Sequence, residues 1–182
     1  MGDQGLTGAQ GRKARARARG VRAATITPTG PAVVTAAPNL IQIENRQRLK
    51  PVARPAVVAL VQATLDRLEC TGEIGVHLVG PREMARVNWD YLRHEGSTDV
   101  ITFDHGSTAR HLYGECFICV ADAIRQAGEW QTEWPDELGR YVIHALLHLA
   151  GYDDLAPVAR QLMKRRENAL TAALVRRNRW LR

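Results

Sequence analysis

The chain has 182 residues, of which 45% are hydrophobic and 24% are charged, a composition typical of one globular domain. Basic residues outnumber acidic ones by 25 to 19, which favours a polyanionic partner such as nucleic acid, although a moderate basic excess also occurs where it serves only solubility. No apolar stretch approaches the roughly 20 residues of a membrane-spanning helix, and three cysteines without framework spacing exclude a small disulfide-rich fold and favour the cytoplasm.

The first segment, residues 1–38, is rich in Arg, Ala and Gly and contains few large apolar side chains. Such a segment cannot bury enough surface to offset the entropy lost on ordering, so we predict that it is a disordered tail. Six basic residues and no acidic residue lie between Arg12 and Arg22. The tail is therefore expected to act at most as a loose electrostatic tether, and residues 39–182 are expected to form a single folded domain.

Within that domain, the spacing of apolar residues predicts four strands and five helices. The strands are expected over residues 40–45, 73–79, 99–104 and 115–120, the last one after a turn at Gly114. The helices are expected over residues 51–69, 81–91, 121–130, 136–150 and 157–175. This order predicts an α+β (mixed α/β) fold in which a small four-stranded mixed sheet packs against about five helices.

The end of the fourth predicted helix carries the most informative pattern in the chain. His144 and His148 are four residues apart, which places both imidazoles on one face of a helix, one turn from each other. Gly151 is suited to end the helix, and the reversal of the chain would bring Asp153 or Asp154 over the pair. Two histidines and one carboxylate form a known catalytic zinc site, so we predict a metallohydrolase domain with its metal site at the end of a helix.

The alternative is that the two histidines are ordinary helix residues whose nitrogens are satisfied by hydrogen bonds. The glycine that ends the helix and the two acidic residues that follow it favour the metal site over this alternative. The metalloprotease pattern H-E-x-x-H is excluded, because Ala145 stands where that pattern has its catalytic glutamate.

The segment from His144 to Asp154 resembles the signature of the YbeY family of endoribonucleases, H-G-x-L-H-L-x-G-Y-D-H. The signature positions that match outright are Leu147, His148, Leu149, Gly151, Tyr152 and Asp153. Upstream, Asn88 and Tyr91 resemble the family's N-x-x-Y, and the run from Ser97 to Phe103 resembles its P-T-D-V-L-S-F segment. Gly114–Glu115 resembles its G-D step, so the resemblance covers roughly residues 40 to 175.

This resemblance implies a mixed sheet surrounded by helices and one zinc ion per chain held by three side chains. It also implies a metal-dependent single-strand endoribonuclease that acts in ribosomal RNA maturation and ribosome quality control. The partners would be ribosomal RNA and, as a candidate, the small ribosomal subunit. The first two family ligands carry over to His144 and His148, and the third position, usually histidine, is Asp154. Asp153 would orient a metal-binding histidine.

A second departure from the family pattern concerns the arginine that follows the family's tyrosine and helps to hold a phosphate. Leu92 occupies that position here, and Arg93 and His94 follow it. Arg93 is a candidate phosphate clamp and His94 a candidate proton donor, although each is equally well explained as a solvated loop residue. Two other functions remain open: a different metallohydrolase, and a non-catalytic ribosome-assembly or RNA-binding factor with a structural zinc.

Several other residues are expected to be structural. Cys116 and Cys119 lie three apart in a predicted strand and should point to opposite faces, so they are not expected to form a metal or redox pair. His77 is expected at the surface in the middle of its strand. Trp130 and Trp134 are expected to pack at the entry to the helix that carries the two histidines.

Overall fold

The computed structural model describes residues 15–17, 38–176 and 180–181 of the chain. Its strands are β1 (Arg15–Arg17), β2 (Leu40–Asn45), β3 (Thr71–Val79), β4 (Val100–Asp104) and β5 (His111–Cys119). Its α-helices are α1 (Arg54–Leu68), α2 (Pro81–Leu92), α3 (Val120–Trp130), α4 (Trp134–Leu149) and α5 (Pro157–Thr171). A π-helical turn, Ala172–Arg176, continues α5. No helix in this part of the chain is long and apolar enough to cross a membrane.

The predicted α+β fold, with a mixed sheet of four main strands and five helices, is confirmed. The sheet order is β1-β4-β5-β3-β2, in which β2, β3 and β5 are mutually parallel and β4 is antiparallel to β5. The three-residue β1 pairs with β4 at the edge and was not predicted. Apart from β1 and residue 38, the tail predicted to be disordered lies outside the described residues.

The main hydrophobic core fills the space between one face of the sheet and the helices α1 and α4. Alternate residues of the central strand β3, Ile74, Val76 and Leu78, are buried in it, as the two-residue repeat of a strand requires. Helix α4 contacts α1, α3, α5, β4 and β5. It is therefore the central helix of the fold, and most of its length is buried.

A smaller apolar cluster lies on the opposite face of the sheet, where α2 packs through Met84 and Val87. Cys119 belongs to this smaller cluster, whereas Cys116 belongs to the main core. The prediction that the two thiols point to opposite faces is therefore confirmed. Burial raises the pKa of Cys116 to about 12 and also raises the pKa of Cys119, so both are structural thiols rather than a reactive pair.

The turn predicted at Gly114 is wrong, because β5 already begins at His111 and Gly114 lies inside the strand. A methyl group at Gly114 would lie 2.4 Å from the carbonyl oxygen of Phe103 and 2.6 Å from Leu149 Cδ2. The glycine is therefore needed for the close approach of the end of α4 to the sheet, and not for a turn.

Two further expectations about packing are corrected by the structure. His77 is only 9% exposed, because its ring stacks on Phe117 with the centroids 4.5 Å apart. Trp130, the last residue of α3, is 69% exposed and therefore does not pack. Trp134 does pack against the main core, as predicted.

Candidate metal centre

Helix α4 positions the candidate metal centre, and its two ends are well defined. Pro135 lies in its first turn, where the missing N–H removes no helical hydrogen bond. At the other end, Gly151 adopts the left-handed region with φ +89°. The Tyr152 N–H donates to the Leu147 carbonyl at 3.0 Å, a bond typical of a glycine-terminated helix. The predicted role of Gly151 as the end of the helix is therefore confirmed.

The chain reversal after Gly151 brings Asp154 to the two histidines of α4. One donor atom from each of His144, His148 and Asp154 lies within 4.8 Å of the others. The two imidazoles are 3% and 8% exposed, whereas Asp154 is partly exposed. The three predicted ligands therefore form a group that could bind a metal ion, with the carboxylate on its solvent side.

The outer nitrogen of each imidazole has a hydrogen-bond acceptor beside it. His144 Nδ1 lies 2.7 Å from Glu167 Oε2, and His148 Nδ1 lies 3.2 Å from the Tyr152 carbonyl oxygen. A carboxylate and a carbonyl can only accept, so we assign the ring proton of each neutral histidine to Nδ1. Both Nε2 atoms then carry their lone pairs on the inner side of the site.

Those two Nε2 atoms face each other at 3.0 Å. Two lone pairs at this distance repel each other unless a proton or a cation lies between them. The donor set of two neutral imidazole nitrogens and one carboxylate oxygen is one that zinc accepts, and three protein ligands leave a position open. The side chains present therefore fit a catalytic divalent metal ion.

Glu167, on α5, was missed by the sequence analysis. Its Oε1 accepts a hydrogen bond of 2.9 Å from Arg140 NH1 while its Oε2 faces His144. The glutamate thus links α5 to two residues of α4 that are one turn apart. One signal was available: Glu167 lies between the buried Met163 and Leu170 at helical spacing, so it places a charge in the apolar face of α5.

The remaining predicted site residues lie outside the group of three donors. Asp153 Oδ1 accepts a hydrogen bond of 3.1 Å from the Leu155 N–H, and its role beside a metal stays a prediction. Arg93 ends α2 in the left-handed region with φ 56°, and its guanidinium carbon lies 6.0 Å from the centroid of the Trp89 ring. His94 follows it, exposed, in the same loop.

The family model described as endoribonuclease YbeY matches residues 42–175 of the chain. The endoribonuclease YbeY of Chlorobium luteolum is 39% identical over 104 residues, which cover 57% of this chain and 75% of that protein. The endoribonuclease YbeY of Parabacteroides distasonis is 31% identical over 128 residues, which cover 70% of this chain and 89% of that protein.

A solved structure also shares the fold. The solution structure of TM1509 from Thermotoga maritima superposes with a TM-score of 0.58 and 22% sequence identity, covering 75% of this chain and 89% of that protein. At this identity the similarity supports the arrangement of strands and helices, and it says nothing further about activity.

Proposed function

Because the chain belongs to the endoribonuclease YbeY family, we propose that it is a metal-dependent, single-strand endoribonuclease that acts in ribosomal RNA processing and ribosome maturation. The observation that carries the proposal is the convergence of His144 Nε2, His148 Nε2 and the Asp154 carboxylate at the end of α4. The chain has 25 basic and 19 acidic residues, and this basic excess, which lies mainly before residue 39, favours a polyanionic substrate such as RNA.

We propose that one zinc ion per chain is held by His144, His148 and Asp154. When bound, such an ion supplies Lewis-acid stabilisation for the charge that develops at phosphorus and makes water more acidic. A carboxylate in place of the usual third histidine adds negative charge, so we expect a weaker Lewis acid than in relatives with three histidines. We place the chain in the cytoplasm because its three cysteines are free thiols, as is usual in a reducing compartment.

The side chains around the donors prepare them for an ion. Glu167 and the Tyr152 carbonyl fix the Nδ1–H tautomers, so that each histidine keeps its Nε2 lone pair toward the centre. Arg140 holds Glu167 in place through a second hydrogen bond. Because both rings are buried on α4, their positions are set before any ligand arrives, which lowers the entropic cost of binding.

Hydrolysis of the phosphodiester joins a water oxygen to phosphorus and breaks the bond between phosphorus and the leaving ribose oxygen; the attacking water releases one proton to solvent, and the leaving oxygen takes up one proton. We propose that the Arg93 guanidinium neutralises a non-bridging phosphate oxygen and that the His94 imidazole donates the proton. Both side chains are exposed in the loop after α2, where a polynucleotide can reach them.

The test compares wild-type protein with His148→Ala and with a control, His105→Ala, which removes an exposed imidazole. We expect about one zinc ion per chain by elemental analysis, and cleavage of single-stranded RNA, in the wild type and the control. His148→Ala should lose both the metal and the cleavage while it keeps the circular dichroism spectrum of the wild type. Full cleavage by a folded His148→Ala protein would refute the proposal.

A further inference from the structure

A pocket of about 370 Å³ lies at the carboxyl ends of β2 and β3, between the turn after β2 and the first turn of α2. It is a shallow depression that is open to solvent, and not an enclosed cavity. Three arginines are among the lining residues, Arg46 and Arg48 from the turn and Arg82 from the helix. We refer to this site as the arginine pocket.

Arg46 is a fixed cation at the back of the arginine pocket. Its NH1 donates to Glu83 Oε1 at 2.8 Å, and its NH2 contacts the Glu44 carboxylate and lies 3.2 Å from His77 Nδ1. The hydrogen bonds to Glu83 and Glu44 raise the pKa of Arg46 above its usual value. Its charge is therefore constant, and its guanidinium is held in one place before a ligand arrives.

Arg48 and Arg82 differ from Arg46 because neither forms an ion pair with another described residue. Both side chains are exposed at the pocket. Glu83 lines the pocket and Glu44 contacts Arg46 beside it, so the three arginines and two carboxylates leave a net charge of +1 there, and the cations without a carboxylate partner are Arg48 and Arg82. Free guanidinium groups that converge on a concave surface are suited to a phosphate group, which they can bind with paired hydrogen bonds.

The turn that carries Arg46 and Arg48 is held rigid by the buried side chain of Gln47. Gln47 Oε1 accepts from the backbone N–H groups of Leu49 and Lys50, at 2.7 and 3.1 Å. Its Nε2 donates to Asn45 Oδ1 at 3.0 Å and to the Lys50 carbonyl at 2.8 Å. All the polar atoms of this side chain are thus used to fix the turn, so the arginines on either side of it are presented at a constant separation.

The arginine pocket is separate from the metal centre. The end of α4 approaches the sheet at Gly114, whereas the pocket lies beyond Val79, whose register partner on β5 is Cys119. The five residues from Gly114 to Cys119 correspond to roughly 17 Å along the strand. A ligand that reached both sites would have to span at least this length, as a single-stranded polynucleotide can.

We propose that the arginine pocket binds a phosphate group of the RNA substrate and so anchors the strand at a distance from the metal centre. This assignment rests on the proposed endoribonuclease function. The anchored phosphate is either in the RNA backbone or at its 5′ end, and both present at least two non-bridging oxygens that guanidinium groups can bind.

The experiment measures binding of a fluorescent single-stranded RNA to the full chain that carries His148→Ala, so that cleavage does not interfere. The pocket variant adds Arg48→Gln and Arg82→Gln, and the matched control adds Lys164→Gln and Arg165→Gln, two exposed cations of α5. We expect the pocket variant to bind about tenfold more weakly at 0.1 M salt, with a log–log salt slope smaller by about 0.7, the value for one phosphate contact on a single strand. In the control, the change in the logarithm of the Kd for RNA should be less than half of the change in the pocket variant.

If the pocket variant and the control lost RNA affinity equally, the proposal would be overturned, because the result would show only a general effect of positive charge. Unchanged RNA affinity combined with loss of inorganic phosphate binding, measured by calorimetry, would also overturn it in favour of a free anion. Two RNAs, one with a 5′-phosphate and one with a 5′-hydroxyl, separate the two sources of the phosphate. If the pocket variant loses affinity only for the RNA with the 5′-phosphate, the pocket binds the 5′ end. If it loses affinity equally for both RNAs, the pocket binds the backbone. If no version bound RNA, including the His148→Ala parent, the proposed function itself would fail.

Discussion

The end of α4 and the loop that follows α2 both carry residues predicted to act on RNA, yet they are built in different ways. At the end of α4, His144 and His148 are buried and each Nδ1 has a hydrogen-bond partner. In the loop, Arg93 and His94 are exposed. The candidate metal ligands are therefore positioned by the fold, whereas the exposed side chains of Arg93 and His94 are not held by burial.

The loop is nevertheless attached to the rest of the molecule at both of its ends. Asn88 Nδ2 donates to the Gly96 carbonyl at 2.9 Å, and Ser97 Oγ donates to Asp122 Oδ2 at 2.7 Å. These bonds fix the backbone that follows Arg93 and His94, whose side chains are exposed. Substitutions at the end of α4 should therefore change metal binding and stability, and substitutions in the loop should change activity alone.

The largest expected effect comes from Glu167→Gln, which weakens the hydrogen bond to His144 and removes the ion pair with Arg140. We expect zinc affinity to fall by about 10–100-fold, the usual cost of losing a carboxylate that orients a ligand histidine. Competition with a zinc chelator measures this. Glu129→Gln, which removes an exposed carboxylate of α3 paired with Arg125, should leave zinc affinity unchanged, and a similar loss in that control would contradict the comparison.

The next effect concerns the contact between α4 and the sheet. In Gly114→Ala the new methyl group would overlap the Phe103 carbonyl and Leu149, so we expect a loss of about 1–3 kcal/mol in the free energy of unfolding. Gly128→Ala is the control, because a methyl group there meets no neighbouring atom within 4 Å and should stabilise α3 by up to about 1 kcal/mol. Urea denaturation compares the two. If Gly114→Ala kept the wild-type free energy of unfolding, the end of α4 would not be tightly packed against the sheet.

A smaller effect is expected in the loop, where Arg93→Ala should reduce RNA cleavage by about tenfold through loss of a charged contact to phosphate. Zinc content and the melting temperature should both stay at wild-type values, because Arg93 is exposed and its guanidinium carbon lies 6.0 Å from the centroid of the Trp89 ring, away from the buried core. A variant that lost metal as well would show that the loop and the end of α4 are not independent. Arg67→Ala, which removes an exposed arginine of α1, provides the control.

The smallest expected effect concerns the rates at which the three cysteines of the wild-type protein react with an alkylating reagent. Cys70 is partly exposed, Cys119 lies beside Ser97 of the loop, and Cys116 lies in the main core. We expect an alkylating reagent at pH 8 to modify Cys70 first, then Cys119, then Cys116, because burial raises the pKa of Cys116 to about 12. Peptide mass spectrometry over time gives the order, and early labelling of Cys116 would contradict the rigidity assigned to the α4 side.

Much of this protein is encoded locally. The four main strands and five helices follow from apolar spacing and from Gly and Pro, because those signals act over a few residues. The same is true of the metal ligands: His144 and His148 share one face of one helix, and Gly151 returns the chain so that Asp154 meets them. A site built within eleven consecutive residues can be predicted from the sequence.

Only the tertiary structure decided the rest. Glu167 lies 23 residues from His144, and no local pattern states which helix will pack against which. Gly114 was mistaken for a turn because its neighbour Leu149 comes from another element. The arginine pocket likewise joins two segments more than 30 residues apart. Local periodicity fixes which residues face inward, whereas the partner that each one meets depends on how the helices and strands are packed together.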